Sequence, residues 1–243
     1  MRAALSALAL ALALSGCAGS YIPPGAKADL QAFAPADIQA GFAVKPSNPF
    51  PAAIAVVRVQ SASYSNYNLN QQGGAYGAGR YSVVFAREVG EDAQFERVGT
   101  LPQVAGVVSL NRLLLSPALE SDKEVRAAAS RLQADLVLLY TFDTAFFDVN
   151  VAKPLTVITL GLSPTRKISA ATTASALLID TRTGYIYAAY ETTEKAETFS
   201  TSWGSQDSAD EVRRKNEQEA FRKLVDEFVA AWPKVLARHA KKS

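Results

Sequence analysis

The sequence predicts an α/β fold of the α+β sandwich kind: a mixed, largely antiparallel sheet with two main helices packed on it, over residues 121–133 and 208–238. Three observations predict it. PAAIAVVRVQ (51–60) holds the β-branched run Ile54, Val56, Val57 and Val59, the pattern of a strand buried on both faces. SDKE (121–124) opens a helix, and the apolar strand DLVLLYTFDT (135–144) follows so closely that the helix must fold back over the sheet. A long amphipathic helix closes the chain.

Order begins with the strand at 51–60. SASYSNYNLNQQGGAYGAGR (61–80) is almost uncharged and rich in Ser, Tyr, Asn, Gln and Gly, which reads as a long solvated loop. Its sharper reading is an interaction surface, because Tyr64, Tyr67 and Tyr76 are of the type that binding loops use. YSVVFAR (81–87) is a second strand. GEDAQFERVGTLP (90–102) is polar and irregular or weakly helical, and VAGVVSLNRLLL (104–115) holds a short strand followed by an apolar patch at Leu113–Leu115.

Ser121 and Glu124 form a capping box, after which Val125, Ala128, Ala129 and Leu132 recur at helical spacing until the helix ends near Gln133. TAFFDVNVAKPLTVITLGL (144–162) reads as a separate hairpin: Phe147, Val149 and Val151 alternate with Phe146, Asp148 and Asn150, and Ala152-Lys153-Pro154 supplies the turn. Each of its arms has about eight residues, short of the roughly 9–11 that a membrane strand needs. A second hairpin joins ISAATTASALLID (168–180) to YIYAAYETTEKAETF (185–199) through TRTG, with Gly184 free to take a positive φ. Asp180 and Arg182 are accounted for as turn formers. In the last helix Ser208 and Glu211 make another capping box, Phe221, Leu224, Val225, Phe228, Trp232, Val235 and Leu236 trace one stripe, and Pro233 kinks it or removes a hydrogen bond.

The N-terminus has a different character. Arg2, the uncharged Ala/Leu stretch Ala3 to Leu14, and the small residues Ser15 and Gly16 have the order of an export signal, and the apolar run is too short to span a bilayer. Residues 18–51 carry six prolines without a sustained period and read as a tether, with a short helix near Ala36–Gly41. Leu14-Ser15-Gly16-Cys17 resembles the lipobox of bacterial lipoproteins, and Cys17 is the only cysteine of the 243 residues. That resemblance implies a lipid anchor on Cys17 after loss of residues 1–16, with Ala18 favouring the outer membrane and a periplasmic face. The expected organisation is a signal peptide (1–16), a lipidated tether (17–51) and a single α/β domain (52–243).

Composition narrows the function. Removing residues 1–16 takes away Arg2 and no acid, so 25 basic against 23 acidic side chains become 24 against 23, too even for a nucleic-acid partner. The lone histidine, His239, lies in a tail expected to fray. Without a placed histidine or a second cysteine, Ser-His-Asp and Cys-His catalysis and common zinc sites drop out, and no cofactor motif is present. Enzymes built on carboxylates, Ser-Lys pairs or tyrosines stay compatible with the composition, but no signature supports one.

Leu132, Ala134, Asp135 and Leu136, with the hairpin Asp180 to Tyr185 and the long last helix, are similar to the CsgG/LpoB-like periplasmic lipoproteins. Gln133 stands where that group usually has glycine, and the group's helix after the first strand is replaced by the Tyr/Asn/Gly-rich segment. The resemblance implies a compact α/β sandwich serving envelope assembly, as a partner-binding protein or as a subunit of a secretion channel. The expectation is a non-catalytic outer-membrane lipoprotein that acts through protein contacts.

Overall fold

A computed structural model describes residues 38–66, 75–150, 166–200 and 205–240. In chain order the elements are α1 (Ile38–Ala43), β1 (Ala52–Ser61), β2 (Ala75–Tyr76), β3 (Ala78–Gly79), β4 (Tyr81–Val84), α2 (Glu91–Gly99), β5 (Val104–Ser109), β6 (Ala118–Leu119), α3 (Asp122–Arg131), β7 (Leu136–Asn150), β8 (Arg166–Asp180), β9 (Ile186–Ser200) and α4 (Ser205–His239). The main sheet is mixed and mostly antiparallel, in the order β2-β4-β1-β7-β8-β9 with β5 also on β1; β3 and β6 form a small second sheet.

β1 is the junction. Ile54 to Val56 pair with both β5 and β7, and Arg58 pairs with both β4 and β7. β4 and β5 therefore share one edge of β1, and β7 takes the other. The β-branched run suits this place because both faces of β1 are covered. Ala52, Ile54 and Val56 join Leu136, Leu138 and Tyr140 under α2 and α4, while Ala55, Val57 and Val59 join Val137 and Leu139 under α3. Alternation along a strand sends successive side chains to opposite layers. α2 makes a third packed helix where the sequence suggested irregular or weakly helical chain, because Phe95 and Val98 supply a buried edge.

α4 runs along β8 in the same direction. Asn216 reaches Ala170 and Thr172, and His239 packs at the turn that follows Asp180. Phe221 sits at the centre, with ring centroids 4.7 Å from Tyr140, 5.8 Å from Phe142 and 5.9 Å from Phe95. Trp232 stacks on Phe228 at 5.4 Å and donates Nε1 to the Pro102 carbonyl at 2.8 Å. Burying Phe221, Leu224, Phe228 and Trp232 contributes on the order of 6–12 kcal/mol of transfer free energy before entropy is subtracted.

Several expectations are corrected. The strand at 135–144 and the first arm of the hairpin at 144–162 are one 15-residue strand, β7, which pairs along its whole length with β8, from Leu136↔Asp180 to Asn150↔Arg166. The Lys153-Pro154 turn and the second arm lie outside the described residues. The last helix begins at Ser205, so Ser208 stands in its first turn rather than at its cap, and the helix continues through Pro233. Residues 47–50, read as the end of a tether, are fastened to the fold.

The hairpin β8–β9 and the α3 capping box form as expected, with Gly184 at φ 77° and both Ser121–Glu124 bonds made. α3 ends in a Schellman pattern: Ala134 N donates to the Ala129 carbonyl and Gln133 N to the Ser130 carbonyl, with Gln133 at φ 56°. A left-handed backbone costs a non-glycine residue about 1–2 kcal/mol. Gln133→Gly should therefore raise stability by about 0.5–1 kcal/mol, read as a higher urea midpoint at unchanged slope.

Candidate functional site

Polar side chains gather inside the molecule at two places. The first lies under the N-terminal half of α4. Arg58 projects from β1 into the apolar layer, 2% exposed, with its guanidinium 4.6 Å from the Phe142 ring centroid. Its Nη2 donates to the Tyr64 hydroxyl at 2.8 Å and to Glu217 Oε2 at 3.2 Å. Asp210, Arg213 and Glu217 share one face of α4, where residues three and four apart are neighbours. Arg213 donates Nε to Asp210 at 3.0 Å and Nη1 to Glu217 at 2.7 Å, and lies 3.1 Å from Glu88. Asn66 donates to the Tyr64 hydroxyl and to Glu88.

Glu88, Glu91, Asp210 and Glu217 face the buried guanidiniums of Arg58 and Arg213, and the half-exposed Arg214 adds a contact to Asp210 at 3.3 Å. Glu91 is fully buried, and its Oε1 has no hydrogen-bond partner, 3.9 Å from an equally unpartnered Arg58 Nη1. Burial raises the Glu91 carboxyl above its usual range, against the opposing pull of Arg58 and the Val89 N–H. Burial likewise pushes the Tyr64 hydroxyl up to about 12. Beside Arg58 is a cavity of about 30 Å³ lined in part by Phe95, Ser109 and Tyr140. That is room for one or two water molecules, not for an organic substrate.

The second cluster is at the opposite end of the sheet. Asp180, which closes β8, accepts five hydrogen bonds. Its Oδ1 takes the N–H groups of Arg182 at 2.9 Å and Thr183 at 3.1 Å, which is the turn-forming role expected of it. Its Oδ2 takes Ser47 N at 2.7 Å, Ser47 Oγ at 2.6 Å and the Tyr187 hydroxyl at 3.0 Å. Asn48 N donates in turn to Tyr187 at 3.0 Å, and Phe50 packs on Tyr187 and Trp232. Arg182 reaches Asp135 at 2.9 Å, and Asp135 also accepts the Ala53 N–H. His239 is not frayed: it ends α4 with its ring 4.8 Å from Tyr187 and 5.8 Å from Tyr185.

Ser47, Asp180 and His239 thus share one end of the molecule without forming a triad. The imidazole contacts tyrosine rings, and burial lowers its pKa, helped by Arg238. Burial works to raise the Asp180 carboxyl, but the Ser47 hydroxyl and the N–H groups around it win and hold it below the usual range. A carboxylate so lowered and so fully engaged is a poor proton acceptor. Among the described residues no group of three or more His, Cys, Asp or Glu is placed to hold a metal ion.

The residues read from sequence as an interaction surface separate. Tyr64 is a correction: it is 6% exposed and belongs to the buried network, because its hydroxyl is needed by Arg58. Tyr67 and Cys17 lie outside the described residues. Tyr76 is half-buried on the surface beside Phe85, 6.4 Å away, and Arg112 lies over both rings at 6.0 and 5.2 Å. Leu113, next to Arg112, is 87% exposed.

No protein-family description matches the chain, and no curated protein matches it. Among solved structures it is similar to a Helicobacter pylori protein described as a neuraminyllactose-binding hemagglutinin homolog, at 11% identity and a TM-score of 0.34, over 77% of this chain and 84% of that one. It is also similar to a hypothetical protein from Chlamydia trachomatis, at 12% identity and a TM-score of 0.29, over 77% of this chain and 99% of that one. At this distance neither carries a statement about function.

Two outcomes follow for the buried network. Arg213→Met leaves Asp210, Glu217 and Glu88 short of their shared cation, and should cost about 3–5 kcal/mol in chemical denaturation. Glu91 has a raised carboxyl, so its stabilising contribution is whole below the ordinary carboxylate value and is lost as pH rises through the raised one. Glu91→Gln should abolish that loss, so the variant gains on the wild type as pH rises above the ordinary carboxylate value in paired urea titrations.

Proposed function

We propose that the protein is a lipid-anchored component of the outer membrane that faces the periplasm and acts without catalysis, through protein contacts in envelope assembly or maintenance. The observation that carries the reading is the sole cysteine of the chain, placed at the end of Leu14-Ser15-Gly16-Cys17 behind an uncharged apolar run. Several acyl chains on one residue give stable anchoring where a single chain does not. The non-catalytic part is supported by the inward commitment of the polar side chains. Asp180 is saturated by its own chain, and Arg58, Arg213 and their carboxylates are closed beneath α4. The half-buried Tyr76 and Phe85 with the exposed Arg112 and Leu113 offer the aromatic, arginine and aliphatic types found in protein contacts.

The channel-subunit reading gains one observation of its own. β7 and β8 are 15 residues each, longer than the roughly 9–11 residues of a membrane strand. Against it, one face of β8 and β9 is covered by α4, and the other presents Glu191, Thr193, Lys195 and Glu197 to solvent. A lipid-facing band needs apolar side chains there.

The anchor is tested with Cys17→Ser. Labelled palmitate should no longer be incorporated, and the protein should leave the membrane pellet; normal labelling and fractionation would sink the reading. In envelope crosslinking, a double substitution Arg112→Glu with Leu113→Glu should lower partner yield at least about tenfold without shifting the melting temperature. Equal yield would remove that patch from the account.

A further inference from the structure

β9 ends the main sheet, and among the described residues it pairs with no strand except β8. An edge of 15 residues with one face backed by a helix is a template for another strand. We propose that its occupant is β9 of a second copy, antiparallel and centred on Thr193.

The register follows from charge. On the face away from α4, Glu191, Thr193 and Lys195 form an exposed row. Lys195 has no ionic partner among the described residues, whereas Glu194, on the other face, is held by Lys223 at 2.5 Å. In a two-fold antiparallel pair, residues opposite one another share a face. Centring on Thr193 sets Glu191 against Lys195 of the second copy, twice by symmetry, with Thr193 against Thr193 and Thr192 against Glu194. Centring on Glu194 opposes Glu194 to itself and Glu191 to Glu197. Centring on Lys195 opposes lysine to lysine, and centring on Thr192 pairs no opposite charges. Centring on Ala196 also sets Lys195 against Glu197 but overlaps only residues 192–200, whereas centring on Thr193 overlaps all 15 residues of β9. Directly opposed charges help when unlike and harm when alike, so charge and overlap together select one register.

The backing helices allow this geometry. α4 packs on both β8 and β9, through Ala174 and Ala176 on one and Tyr190 on the other. A helix seated between those strands stands about two strand spacings, roughly 10 Å, from its symmetry mate, which is an ordinary helix-packing distance. The side chains of the α4 face stay engaged at home, with Thr192 Oγ1 on the Ala220 carbonyl at 2.8 Å. In the row at 191–195, Glu191 accepts from Ser175 Oγ at 3.0 Å and Thr193 meets Thr173 at 2.9 Å, and Lys195 is left to make the ionic contact between copies with the remaining carboxylate oxygen of Glu191.

The experiment uses the full chain in mild detergent, with a short thiol crosslinker and the unsubstituted chain as background. Thr193→Cys should crosslink to itself, since opposed Cβ atoms lie about 4.5–5.5 Å apart. Glu191→Cys or Lys195→Cys alone should give at least about tenfold less covalent dimer, and a mixture of those two should restore it. By sedimentation, Lys195→Glu should weaken self-association at least about tenfold, and the exchange Glu191→Lys with Lys195→Glu should recover it. Lys195 is exposed, so these variants should keep the wild-type melting temperature. A monomer at every concentration, equal crosslinking from positions 193 and 195, or an exchange that recovers nothing would overturn the proposal.

Discussion

Arg58 stands in a strand where every other residue from Ala52 to Val59 is alanine, isoleucine or valine, and its charge has to be answered inside the protein. No water-facing route exists at 2% exposure, so every neighbour of the guanidinium is constrained. α4 must bring Glu217 and, one turn earlier, Arg213. The segment after β1 must turn back so that Tyr64 and Asn66 lie on the cluster, and α2 must begin where Glu91 can face it. A buried ion cluster of this kind adds little to stability compared with a well-packed apolar core, yet removing one member is costly. Its use here is positional: it requires one seating of α4 on the sheet, where apolar packing alone tolerates several.

Much of the architecture was legible because it is local. The β-branched run of β1, the Ser121–Glu124 box, the Thr181–Gly184 turn and the stripe from Phe221 to Leu236 each declare themselves within a dozen residues. The misreadings come from partners far away in sequence. Tyr64 sits among Ser, Asn and Gly and looks like loop surface, but its partners are Arg58 and, through it, Glu217. Ser47 looks like tether until Asp180, 133 residues later, takes both its N–H and its hydroxyl. Phe95 and Val98 are too few to announce a helix by period, and they count because β5 and α4 stand ready to cover them. Asp180 shows both limits at once: its turn is readable from TRTG, whereas its hold on Ser47 is not.

The two polar clusters occupy opposite ends of the sheet and divide the molecule's chemistry between them. At one end carboxylates and guanidiniums are buried together and one carboxyl is held toward its neutral form. At the other a single carboxylate is stabilised as an ion by five donors. What the surface offers lies elsewhere, around Leu113 and along the outer edge of β9, on opposite sides of the sheet order.

Fastening residues 47–50 beside Asp180 also has a mechanical side. Tension on the N-terminal segment reaches Ser47, Asn48 and Phe50 first, and only then the start of β1. That strand lies in the interior of the sheet, with β4 and β5 along one edge and β7 along the other. A pull away from this end acts along the strand axis, so it strains the hydrogen bonds of β1 to β5 and β7 together, in shear. An outer strand would instead peel away one bond at a time. A load applied from the N-terminal side therefore meets the sheet in its most resistant direction.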